Sequence, residues 1–205
     1  MKENIGQRGD LPRLIETVLS RRKPKLLEDK DAVYRHGAVL IPLFWDREEY
    51  KVLFTKRTDT VEAHRGQMSF PGGRIDEDDR SLLETALRET EEEIGLPRDA
   101  VSILGRSDDA RTLSSNYIVH PFVGLIPYPY PFRLNAGEVK RLVEVPLSLF
   151  LATEEIMPVE YEGRIYQNLA YKYDGEVIWG ATARIMHSLV EILLSSMDSG
   201  GLLPK

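Results

Sequence analysis

Two periods of hydrophobic spacing divide the chain into helices and strands. Leu14, Ile15, Val18 and Leu19 recur at helical spacing, which predicts a first helix capped by Asp10 with Pro12 in its first turn. Its role is packing, or contact with a second copy in a homodimer. The continuous apolar runs 38–44 and 51–55 flank a polar turn, 45–50, and predict adjacent antiparallel strands. Further strands are expected at 101–105 and 118–126, and at 138–147, where the strand runs into a short helix. The last third reads as a strand over 166–173, an Asp174-Gly175 hairpin turn, a strand over 176–179, and a helix from about Ala181. Ile185, Leu189, Ile192 and Leu193 form that helix's core stripe.

One segment breaks the ordinary pattern. After Phe70-Pro71-Gly72-Gly73, read as a Gly-rich loop, comes a helix with Leu83, Ala86, Leu87, Thr90 and Ile94 on one face. At about 100° per residue, Glu89, Glu92 and Glu93 gather within roughly a third of its circumference. Crowded like charges destabilise a helix unless a cation relieves them. An all-oxygen donor set without Cys or His favours Mg2+ or Mn2+ over zinc. The alternative is a solvated Glu-rich helix paired with Arg88.

The wider context favours the metal. Arg88-Glu89-Thr90-Glu91-Glu92-Glu93-Ile94-Gly95-Leu96 resembles the second half of the Nudix box, with Thr90 at a position usually apolar. In the first half, fourteen residues separate Gly73 from Arg88 where the family has thirteen, and Asp79 stands where a Glu is expected. Gly72, Gly73, Asp76 and Asp79 are similar instead to the coenzyme A pyrophosphatase subgroup. So is the upstream stretch from Leu53-Phe54-Thr55-Lys56-Arg57-Thr58 through His64-Arg65-Gly66-Gln67-Met68-Ser69 to Gly73, and so is Ile178 to Arg184. Glu62 differs, standing where the subgroup usually has an Arg. A carboxylate reverses the sign of any phosphate contact there, and Arg65 is close enough in sequence to substitute.

This resemblance implies an α/β fold, the Nudix α/β/α sandwich with a mixed sheet. It also implies metal-dependent hydrolysis of a nucleoside diphosphate derivative, with coenzyme A giving adenosine 3′,5′-bisphosphate and 4′-phosphopantetheine. Glu89, Glu92 and Glu93 would hold the metal, Arg88 would orient a neighbouring carboxylate, and one glutamate would help deprotonate water. Gly72 and Gly73 allow close approach. Arg57 and Arg65 are candidate phosphate contacts. His64 is a candidate substrate contact or a surface residue, and Glu138 a candidate further base or ligand or an exposed strand-end Glu. ADP-ribose, a nucleotide sugar, a dinucleotide or a nucleoside triphosphate is the alternative substrate. A non-catalytic ligand sensor is disfavoured by the complete Arg88, Glu89, Glu92, Glu93 set.

Other polar and aromatic features carry weaker expectations. The basic run 21–25 reads as a solvated helix end rather than a phosphate site. Asp108, Asp109 and Arg111 are candidates for ordering substrate, in a link that is polar in any case. His120 reads as a packed or edge residue, and Tyr128 to Phe132 as a structural turn rather than an adenine platform.

Composition narrows the partners. A chain of 205 residues suits one elaborated domain: a helical extension over 1–30, the main domain over 31–197 and a flexible tail over 198–205. With 42% hydrophobic and 29% charged residues it reads as globular, and its charge of −6 argues against general binding to nucleic acid or anionic membrane. A small-molecule nucleotide is the expected partner. No cysteine is present, so disulfides, zinc-thiolate sites and a Cys nucleophile are excluded. The first residues resemble neither a signal nor a transit peptide, no apolar run is long enough to span a bilayer, and cytoplasmic placement is expected.

Overall fold

The computed structural model describes residues 9–58, 66–112, 115–151, 155–161 and 163–198. The organising strand is β1 (Arg35–Trp45), whose run from Ala38 to Phe44 is almost wholly buried. Alternation divides that run between two layers. Ala38, Leu40 and Phe44 face the helix α2 (Leu82–Ile94), packing with Ala86, Ile94 and Leu96 or their neighbours. Ile41 and Leu43 face the opposite layer, where α1 (Leu11–Ser20) and α4 (Gly180–Asp198) contribute Leu14, Ile15, Ile185, Leu189 and Leu193. An apolar strand without polar alternation is what a sheet covered on both faces requires. The expected α/β/α sandwich is thus the architecture found.

Pairing makes the sheet mixed. β1 runs antiparallel to β2 (Tyr50–Arg57) and parallel to β7 (Tyr117–Leu125), in register from Arg35 opposite Tyr117 to Leu43 opposite Leu125. β5 (Ser102–Arg106) and β6 (Ala110–Arg111) pair antiparallel with β7, and β8 (Val139–Pro146) pairs antiparallel with β2 before the short α3 (Leu147–Leu151). β3 (Met68–Ser69) adds to β2. The Gly-rich segment is not simply a loop: Gly72–Arg74 forms β4, antiparallel to β1. Backbone pairing supplies what glycine's poor strand propensity does not.

A second, three-stranded sheet contains β9 (Glu155–Tyr161), β10 (Arg164–Tyr173) and β11 (Glu176–Trp179). β9 was not expected from sequence. Tyr171 and Ile178 join the main core, while Glu176 accepts hydrogen bonds from Lys56 and Arg141 at 2.6 Å each, tying β11 to β2 and β8.

The polar features of the link between β5 and β7 serve the fold. Asp108 accepts the Lys25 N–H at 2.7 Å and pairs with Arg22, while Asp109 accepts the Leu27 N–H at 3.1 Å. The Arg111 guanidinium lies over Tyr34, 4.9 Å from the ring centre. These residues hold the segment after α1 rather than facing the cavity described below. His120 is packed, within hydrogen-bond distance of His36 and Asp109 at 2.9 Å each. Tyr128 stacks on Phe44 and donates to Glu144, as a structural turn should. No helix among the described residues is long and apolar enough to cross a membrane. α4 continues to Asp198, where the tail was expected to start; the rest of that tail, like most of the extension before α1, lies outside the described residues.

Candidate active site

The helix bearing the glutamates is set by its caps. The Ser81 hydroxyl accepts the Glu84 N–H at 3.2 Å, and Gly95 closes the other end at φ 69°, in the left-handed region. Between these ends α2 lies against β4 and β1, and one side of the contact opens into a cavity of about 760 Å³. Glu89, Glu93, Glu138, Arg57, Gly72 and Gly73 all line it. Trp179, Thr182 and Ile185, from the β11–α4 junction, contribute to its lining, as does Tyr166 of β10.

The three helical glutamates occupy different environments. Glu93 is only 3% exposed, accepts the Gly72 N–H at 3.3 Å and lies 3.8 Å from the Arg57 guanidinium. Burial pushes its carboxyl up to about 8 against the pull of Arg57 and the Gly72 N–H, with Glu138 and Glu89 adding repulsion. Glu89 is half-buried and is also raised, by burial first and then by Glu92 and Glu138, against the pull of Arg88. Glu92 is exposed and faces Arg88 outside the cavity lining. The predicted acidic wall therefore runs from core to solvent.

Arg88 organises that wall from behind. Its Nε and Nη2 each donate to Asp79 at 2.9 Å, its Nη1 donates to Glu89 at 3.0 Å and Glu92 at 3.2 Å, and Nη2 also reaches the Arg74 carbonyl at 3.1 Å. All five guanidinium N–H groups are thereby used. The Arg88 hydrogen bonds hold the Asp79 carboxyl well below the usual carboxylate range, against the effect of burial. Sequence comparison aligned Asp79 with a motif without assigning it this anchoring role.

Gly73 is pressed against Glu89: a Cβ there would lie 2.3 Å from the carboxylate carbon. Gly72, at φ 147°, would set a Cβ 2.4 Å from the Ala38 carbonyl oxygen. Both glycines are thus required by close approach, and Glu138 arrives from the start of β8 to face Glu89 and Glu93. His64 and Arg65, with Glu62, fall outside the described residues.

The donor set suits a hard divalent cation. Glu89, Glu93 and Glu138 offer oxygen only, and the negative charge of Glu138 raises the ionisation cost of both Glu89 and Glu93, which a cation would relieve. Among the described residues no three carboxylate or imidazole groups form a closed coordination cluster, and Arg88 pairs with both Glu89 and Glu92. Residues that sequence reasoning did not single out include Tyr166, Arg35, Arg74 and Tyr117. Trp179 sits in the Ile178–Arg184 stretch, whose resemblance to the subgroup was the available signal.

In a sandwich fold, a carboxylate-lined cavity at one face of α2 is a site at which a divalent cation could offset the charge of a phosphoanhydride. Residues 34–162 match the NUDIX domain, and the chain belongs to the Nudix hydrolase family, whose members generally use divalent metal ions. It is 39% identical to the Nudix hydrolase NudL of Photorhabdus laumondii, itself described as uncharacterized, over 82% of this chain and 88% of that one. NudL of Yersinia pestis is 41% identical over 78% and 80% of the two chains. Among solved structures, a C. elegans Ap4A hydrolase binary complex aligns with TM-score 0.52 at 14% identity, covering 81% of this chain and 98% of that one. RenU, a Nudix hydrolase of M. smegmatis, aligns at 0.50 and 14%, covering 83% and 90%. These two likenesses concern the fold. The protein is a Nudix pyrophosphohydrolase acting on a nucleoside diphosphate derivative.

Proposed function

We propose that the cavity hydrolyses the pyrophosphate bond of coenzyme A or its derivatives, releasing adenosine 3′,5′-bisphosphate and 4′-phosphopantetheine. The observation that carries this reading is Arg57. It belongs to the stretch resembling the coenzyme A subgroup, enters the cavity beside Glu93, and has a buried Nε with no hydrogen-bond partner among the described residues. A pyrophosphate oxygen is the partner such a group lacks. Glu62, at a position where the subgroup usually has Arg, favours a second reading in which the substrate is ADP-ribose, a nucleotide sugar, a dinucleotide or a nucleoside triphosphate.

In the mechanism, Glu89, Glu92 and Glu93 would hold Mg2+ or Mn2+, with Glu89 and Glu93 lining the cavity. A divalent cation supplies charge compensation on the attacking and leaving oxygens. Asp79 fixes Arg88, and Arg88 fixes the carboxylates of Glu89 and Glu92. Arg57 binds the diphosphate, and the resemblance extends a phosphate contact to Arg65 and a substrate contact to His64. One of the cavity carboxylates, with Glu138 among the candidates, takes the proton of the attacking water. The Gly72-Gly73 backbone lets β4 lie against β1 and the Glu89 carboxylate, and lines the cavity beside them.

Glu93→Gln tests the assignment. It keeps the side-chain volume and removes the charge, so metal-dependent turnover should be lost while circular dichroism and melting show an intact fold. Undiminished metal-dependent turnover would sink the assignment.

A further inference from the structure

Arg35 and Arg74 line the cavity, yet neither carries a side-chain ion pair among the described residues. Both are exposed residues, in a chain of net charge −6. Sheet register brings them together. Arg74 stands opposite Gly37, and Arg35 lies two residues before Gly37 on the same face of β1. Tyr117 stands opposite Arg35 on β7.

Gly37, between them, lets β4 lie close against β1. A Cβ there would lie 2.7 Å from the Gly73 carbonyl oxygen and 3.7 Å from Tyr117 Cδ1. Both contacts show how closely β4 and the Tyr117 ring approach Gly37. Along β4, Arg74 is two residues beyond Gly72, whose N–H meets Glu93. At about 3.3 Å per residue this sets the Arg74 backbone about 7 Å from the carboxylate end. The arginines therefore stand at one remove from the groups placed around the scissile diphosphate.

We infer that Arg35 and Arg74, with Tyr117 beside them, form a second phosphate subsite. It binds a phosphate of the substrate that is not cleaved. Two guanidiniums without ion-pair partners among the described residues suit a dianionic phosphomonoester, which accepts paired N–H donors from each. That phosphate comes either from a ribose 3′ position or from the end of a longer phosphate chain. The inference rests on the reading that this cavity takes a diphosphate substrate, and it adds the feature by which phosphorylated substrates are preferred to their simpler counterparts.

The test is calorimetric binding of adenosine 3′,5′-bisphosphate, ADP and AMP, with divalent metal chelated, to wild type, Arg35→Gln, Arg74→Gln and the double variant. Arg→Lys variants at both positions retain charge and control for folding. Wild type should bind the bisphosphate about tenfold tighter than AMP, the scale of one contact with a charged group. The double variant should bring that ratio close to one, with the Lys variants between. An ADP preference lost in the same variants would assign the subsite to a chain-terminal phosphate. Unchanged bisphosphate-to-AMP and ADP-to-AMP ratios would overturn the inference. Wild type that fails to cleave coenzyme A but keeps an Arg-dependent ratio would remove the coenzyme A reading and leave the subsite standing.

Discussion

Arg88 and Asp79 meet through two parallel hydrogen bonds of 2.9 Å, with the Asp79 side chain 3% exposed. The pair lies behind the glutamates rather than among them, and it fixes where Arg88 can hold Glu89 and Glu92. Asp79→Asn should break the paired geometry, costing about 2–3 kcal/mol, below the range for a fully buried pair because Arg88 is partly exposed. Activity should fall at least as far as in Arg88→Lys, which keeps a charge but not the fork. Urea unfolding and steady-state turnover on the same samples check both. Full activity in Asp79→Asn would show that the anchor is dispensable.

The neighbouring glycines should separate stability from activity. At Gly72 a Cβ would strike the backbone of β1 at a φ that side chains avoid, so Gly72→Ala should destabilise by about 1–3 kcal/mol. At Gly73 the obstacle is the end of the Glu89 side chain, which can swing aside. Gly73→Ala should therefore melt close to wild type while displacing Glu89, and turnover should drop by about tenfold or more. Comparison of melting temperature with turnover distinguishes the two.

Stability should depend on pH in opposite senses at two sites. The folded Glu93 carboxyl is raised to about 8 from an ordinary 4.5, so between those values the folded state binds more protons than the unfolded one. Stability of metal-chelated protein should fall as pH rises through this window, and Glu93→Gln should remove that slope. Asp79 and Asp109 are lowered, each against the effect of burial, so their contribution is present above their unfolded value of 3.8 and lost as pH falls below it. Thermal melts from pH 3 to 9 with chelator test both directions.

Much of this architecture can be read from local pattern. The apolar run from Ala38 to Phe44 forms a central strand, and the Asp174-Gly175 turn joins β10 to β11. What could not be read is settled by partners distant in sequence. Gly72–Arg74 becomes a strand only because β1 pairs with it, and β9 carries Pro158 and charged residues in a lone sheet with β10 and β11. Helical periodicity groups Glu89, Glu92 and Glu93 on one face. It cannot tell that β4 passes beside Glu93 and buries it while Glu92 remains in water. The polarity of Asp108 and Asp109 is visible in sequence and suggests substrate ordering, whereas the backbone N–H groups of Lys25 and Leu27 whose hydrogen bonds they accept are not visible there.

The central claim is tested most directly by product analysis of the purified protein with coenzyme A and Mg2+ or Mn2+, beside ADP-ribose and a dinucleotide under the same conditions. Preferential release of adenosine 3′,5′-bisphosphate with 4′-phosphopantetheine is the predicted result. Cleavage of ADP-ribose or the dinucleotide with coenzyme A left intact would contradict it and move the substrate.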